Sequence, residues 1–201
     1  MHPHRPSTYL LILLAGLLVV GGCATRTPED PTGSRGTFQP PTSPSIVLEN
    51  LVAAVGEKNT ENYMLCLADP MTRSQYPFEF EPSAEARARF QSLFDEWTTS
   101  KERQSFLSMI SRLNVDQRPQ LFLLNTDVNF SSPDSTVYTS DYELNVDHGI
   151  TSIPTTLTGT LVFVVTPEQS GQWSISRWTD AKRSSDTVES TWSLLKAQLT
   201  N

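Results

Sequence analysis

The chain has 201 residues, 37% hydrophobic and 18% charged, and carries a net charge of −7 at neutral pH. An acidic balance of this size gives no electrostatic footing on nucleic acid or on anionic headgroups, both of which call for a basic face. The length suffices for one domain with a real core, and two cysteines exclude a disulfide framework.

Residues 1–22 have the layout of a secretory signal. A short cationic start with Arg5 precedes an apolar run from Tyr9 to Val20, and the small residues Gly21 and Gly22 stand before Cys23. The run is too short to span a bilayer, which takes about 20 apolar residues. Val20-Gly21-Gly22-Cys23 resembles the lipobox of bacterial lipoproteins. The resemblance implies cleavage between Gly22 and Cys23, a diacylglycerol thioether on Cys23, and acylation (palmitate) of the new amine. The partner so implied is the membrane of a bacterial cell envelope. Ala24 in the next position implies, for a cell with two membranes, the periplasmic face of the outer membrane.

Residues 23–44 follow as a tether. From Ala24 to Pro44 there are five prolines, two glycines and almost nothing apolar, too little to bury and fold. Phe38 is its one large apolar residue and is expected to be solvated. The folded domain is expected over residues 45–201. Ser43 with Pro44 reads as a helix start, and Leu48, Leu51, Val52 and Val55 recur at helical spacing until Gly56. A second helix is expected from about Thr60 to Ala68, stopped by Asp69-Pro70. It carries Cys66 in an apolar run. With Cys23 lipidated, Cys66 has no partner thiol and reads as core.

Tyr76 to Pro82 reads as a short extended piece. Ser83 opens a third helix bearing Phe90, Leu93, Phe94 and Trp97. Thr99 and Glu102 form a capping-box pattern for a fourth, with Phe106, Met109, Ile110 and Leu113 on its apolar face. After Asn114 the period changes to two. Phe122, Leu124, Thr126, Val128 and Phe130 read as the inner face of a half-buried strand. Tyr138, Tyr142, Leu144 and Val146 share a face in the next one. Leu161 to Val165 is apolar on both faces, as in a central covered strand. Trp173 to Trp178 closes the sheet, and Asp186 and Glu189 cap a last helix carrying Val188, Trp192, Leu195 and Leu199.

Helices first, then antiparallel strands, argue an α+β fold with N-terminal helices on a sheet and a C-terminal helix. The opening helix with Asn50-Leu51 through Val55, the Lys58-Asn59-Thr60-Glu61-Asn62-Tyr63 turn and the Trp173 to Asp180 strand resemble the NTF2-like (cystatin-like) superfamily. The resemblance, over roughly residues 45–182, implies a curved antiparallel sheet wrapped round helices as a cone whose concave side can hold a pocket. Some relatives are isomerases or dehydratases, others bind ligands or dimerise, and fold alone does not choose.

The residues offer little chemistry. His148 beside Asp147 looks like a solvated hairpin loop. Asp141 and Glu143 share a solvated face, too few oxygens for a cation. Tyr138 and Tyr142 can donate phenolic hydrogen bonds into a pocket, Trp178 can line its mouth, and Asp180 can supply a polar lining. These four are the tentative pocket residues, and core packing competes with that role at each. No catalytic residue, metal ligand or cofactor motif is identified. The expectation is a lipid-anchored, non-catalytic ligand-binding or protein-interaction domain. Two alternatives stay open: an isomerase- or dehydratase-type enzyme on a small hydrophobic substrate, and a homodimeric scaffold or envelope assembly factor.

Overall fold

A computed structural model describes residues 36–200. The signal segment, Gly22, Cys23 and most of the expected tether lie outside the described residues. The first described stretch differs from expectation. Residues 37–43 lie against the domain, where Phe38 packs on the core and Pro41 is buried. Asn50, itself buried, donates to the Gln39 carbonyl at 2.7 Å and accepts from the Gln39 N–H at 2.9 Å. The Trp173 N–H donates to the Pro41 carbonyl at 2.9 Å. A proline-rich strap with few apolar groups is held because the domain supplies partners for its backbone.

Helix α1 (Pro44–Glu57) buries Val47, Leu48, Leu51, Ala54 and Val55 on one stripe. It runs past Gly56 and ends at Lys58, whose left-handed φ of 57° turns its N–H back to the Ala54 and Val55 carbonyls. Helix α2 (Thr60–Leu65) starts at Asn59, whose side chain accepts from the Asn62 N–H. Strand β1 (Glu79–Glu81) follows. The expected third helix is broken at Phe90, giving α3 (Ala84–Arg89) and α4 (Gln91–Phe94). Helix α5 (Thr99–Ser111) is capped by Thr98, one residue before the expected position. Glu102 is therefore free of any capping role and points inward, fully buried.

The sheet comprises β2 (Gln120–Ser132), β3 (Ser135–Asn145), β4 (Thr156–Pro167) and β5 (Trp173–Ala181). Its order is β1-β5-β4-β3-β2, with β4 in the centre and the helices packed on one face of a curved sheet. The four long strands pair antiparallel as expected, and β1 adds to β5 in parallel. Helix α6 (Trp192–Thr200) closes the concave side, and all its side chains except those of Gln198 and Thr200 are buried. It begins four residues later than Val188, which stands exposed on the preceding loop.

Strand β3 keeps its expected faces, with Tyr138, Tyr142 and Leu144 inward. Strand β2 does not. Phe122 and Leu124 pair with Glu143 and Asp141 on the outer face. Asn125 then takes a φ of 50° in a bulge, and a second register shift follows Val128. The shifts put Val128 level with inward-facing Tyr138 and Phe130 level with Val137. Phe122, Leu124, Val128 and Phe130 all remain 40–57% exposed. Phe122 and Leu124 already face outward before the bulge, because the register sets Leu121 and Leu123 opposite inward-facing Leu144 and Tyr142; the two shifts then turn Val128 inward and Phe130 outward again.

Candidate functional site

The concave side of the sheet is where the fold leaves room for a ligand, and here it is filled. Trp178, Phe163, Tyr142, Leu144 and Trp192 are 0–2% exposed. Trp178 stands edge-on to Phe163 at 5.2 Å and to Trp192 at 5.0 Å between centroids. Phe80 of β1 meets Trp178 at 5.9 Å and Trp97 at 5.5 Å. Tilted and edge-on contacts of this kind let large rings interlock without voids.

Two buried polar clusters sit among the rings. In the first, Asp180 at the end of β5 accepts from the Tyr142 hydroxyl at 3.1 Å and from both the N–H and the Oγ–H of Ser193 at 2.6 Å. The Tyr142 hydroxyl in turn accepts from the Trp192 N–H at 2.6 Å. The first amides of α6 thus end on side chains from two strands, and a carboxylate faces the positive end of the helix. Burial pushes the Asp180 carboxyl up to about 6, against the pull of the Ser193 donors, Lys196 and Tyr142. Burial, then the Asp180 charge, holds the Tyr142 phenol well above its ordinary value. Gly159 makes this possible. It is the register partner of Tyr142, and any Cβ there would lie 2.6 Å from the tyrosine ring and from the Ala181 carbonyl.

In the second cluster, Glu102 of α5 and Lys196 of α6 pair at 2.6 Å with both side chains 1% exposed. Glu102 also accepts from the Tyr63 hydroxyl at 2.5 Å and the Trp97 indole N–H at 2.8 Å. The Lys196 ammonium lies 4.0 Å from the centroid of Phe80 and 3.9 Å from that of Trp178, with Trp192 at 5.3 Å. Burial lowers the lysine's affinity for its proton, while Glu102 and Asp180 oppose that fall. Burial, then the Glu102 charge, drives the Tyr63 phenol well above its usual range.

Of the four candidate pocket residues, Tyr142, Trp178 and Asp180 come together inside packed protein. They line none of four clefts on the surface of the described residues, beside Arg73, Arg177, Leu194 and Ser92. Tyr138 lies farther along β3, at the edge of the core with 9% exposure. The partners that complete the two clusters are Glu102, which the sequence offers only as a capping residue, and Lys196 and Ser193, to which it gives no role. A signal exists for two of them. Glu102 falls four residues before Phe106, and Lys196 four after Trp192, each on an apolar helical stripe.

His148 is not solvated. It is 1% exposed, its Nδ1 accepts from the Ile150 N–H, and its Nε2 meets the Pro154 carbonyl at 3.0 Å. Both ring nitrogens are used in pinning the loop before β4, which leaves none for acid–base work. Asp141 accepts from the Thr160 hydroxyl and faces Arg183 at 4.0 Å, and no metal-ligating cluster occurs among the described residues. Cys66 is buried as read, its thiol pushed up to about 12 by burial. The surface clefts include one of about 440 Å³ beside Met64, Arg73 and Arg103, and one of about 460 Å³ beside Phe90, Ile153 and Leu194. In the first, Arg73 and Arg103 are committed to Glu168 and Glu61.

No protein-family model matches the sequence, and no curated protein does. Solved structures do match the fold. A candidate scytalone dehydratase from Novosphingobium aromaticivorans is similar with a TM-score of 0.50 and 10% identity, over 73% of this chain and 87% of its own. A candidate dehydratase of the NTF2-like family from Streptomyces avermitilis gives 0.49 and 10%, over 69% and 91%. An NTF2-like protein from Cytophaga hutchinsonii gives 0.48 and 11%, over 68% and 92%. The α+β architecture of helices on a curved sheet is shared with the structure from Novosphingobium aromaticivorans. At these identities the likeness extends to the fold and no further.

Proposed function

We propose that this protein is a lipid-anchored component of a bacterial envelope, and that its NTF2-like domain is a non-catalytic protein-interaction module working through the outer face of its sheet. The observation that carries this reading is the row of exposed apolar side chains on β2. Phe122, Leu124 and Phe130 are 43%, 40% and 55% exposed. Phe130 continues through the register into Val137 of β3 and Val164 of β4. Asp127, level with Thr139, stands between Leu124 and Phe130 on this face, and exposed apolar groups gathered in this way mark interaction sites. The filled cone supports the same reading from the other side. Asp180 and Tyr142, the buried pair an acid–base step could draw on, border none of the four clefts described above. The lipobox-like Val20 to Cys23 supports the anchor, and no described helix is long and apolar enough to cross a membrane.

In-cell photo-cross-linking from position 130 tests the module, with exposed Leu107 on the helical side as control. A discrete protein adduct at 130, lost in Phe122→Glu, is expected. An adduct of this chain with itself would assign the face to a homodimer, the scaffold form of the reading. Equal labelling from 107 and 130, or none from 130, would overturn it.

A further inference from the structure

The Glu102–Lys196 pair is poorly explained as a stabilising device. Removing two charges from water costs several kcal/mol each, and apolar side chains of similar volume commonly serve a core as well or better. The lysine's setting has a specific chemistry, however. Among the described residues its ammonium makes one hydrogen bond, to Glu102, and otherwise faces the rings of Phe80, Trp178 and Trp192, with Trp97 at 6.0 Å. One carboxylate inside a box of aromatic faces is the arrangement that recognises organic ammonium ions.

The box is divided unequally between the body and α6. Phe80 and Trp178 come from β1 and β5, Glu102 from the first turn of α5 and Trp97 from the loop before it, and Tyr63 of α2 fixes Glu102 from behind. Only Trp192 and the lysine itself come from α6. That helix joins the sheet through residues 182–190, where Lys182, Ser184, Ser185, Thr187 and Val188 are exposed, while Arg183, Asp186, Glu189 and Ser190 hold the connection to Tyr142, Thr158 and Ser83 of the body. Lifting α6 away would leave a concave receptor with its carboxylate and three rings in place.

We infer that the concave side is an alkylammonium-binding site, occupied in cis by the Lys196 side chain, and that α6 is a displaceable plug whose departure opens it to a primary-amine ligand. Binding at this site does not depend on which partner the outer sheet face takes.

Lys196→Ala in the purified full chain removes three methylenes and the ammonium, the outline of n-propylammonium. Adding n-propylammonium chloride is expected to raise the Tm of this variant saturably, by about 3–6 °C at a tenfold excess over the midpoint. Propanol is expected to do nothing, and Lys196→Ala/Glu102→Gln is expected to lose the response. If Lys196→Ala is unfolded in buffer, the same comparison is read as refolding by circular dichroism.

The unaltered protein gives the second measurement. Propylammonium competing for the site is expected to speed hydrogen exchange of the 192–200 amides at least severalfold relative to sodium chloride or propanol. A variant that responds equally to propanol and propylammonium would overturn the inference, as would failure to respond or refold combined with unchanged exchange in 192–200.

Discussion

At the scale of single residues, the site depends on groups whose roles come from distant neighbours. Gly159 is the clearest case, since its missing side chain is the space that the Tyr142 ring occupies. Gly159→Ala should lower stability by about 1–3 kcal/mol through overpacking, read as a falling midpoint in urea. Unchanged stability would show that Tyr142 can move aside freely. Asp180 gives a pH signature. Its folded-state value near 6 lies above the ordinary 3.8, so the folded protein keeps a proton that the unfolded chain has lost between about pH 4 and pH 6. Its favourable contribution is complete below that window and is lost as pH rises through about 6. The Tm of the native protein should therefore fall relative to Asp180→Asn between pH 4 and pH 7. A gap independent of pH would contradict the buried, proton-holding carboxyl.

At the scale of elements, residues 36–44 and α6 do the unexpected work. A chain beginning at Ser45 instead of Gly36 loses the main-chain partners of buried Asn50 and the Phe38 contact. It should lose about 1–3 kcal/mol, seen as a lower Tm. Equal melting would return this stretch to the tether. Trp192→Ala should cost about 3–5 kcal/mol, as for other large aromatic truncations in cores.

The sequence carried the order of helices and strands, because periods of 3.6 and 2 are local properties. It carried the faces of β3 for the same reason. The inverted face of β2 escaped it, since the register that sets Leu121 and Leu123 inward, opposite Leu144 and Tyr142, is decided by pairing with β3 rather than by the strand itself. Tyr142, Trp178 and Asp180 were legible as a group because they share the inward face of one sheet, on the two strands that flank β4. Their closure by α6 was not, because the packing partners lie up to 50 residues away along the chain. His148 was misread on its polar neighbours, where one carbonyl and one amide of its own loop sufficed to bury it.

At the scale of the whole molecule, an interior closed by α6 lies under a sheet whose outer face exposes apolar side chains of β2, and the proposed anchor rests on Cys23. Cys23→Ala should shift the protein from the membrane fraction to the soluble fraction of cells expressing the full chain. Retention of the variant in the membrane would contradict the lipobox reading. The closed interior is the central claim, and the tryptophans report on it directly. The chain has four, of which Trp178 and Trp192 lie inside the cone. The decisive measurement follows the indole N–H signals of the full chain by NMR during titration with neutral and acidic hydrophobic small molecules. The account predicts that the Trp178 and Trp192 signals stay in place throughout. Saturable shifts confined to those two would show a cone open to substrate and would contradict it.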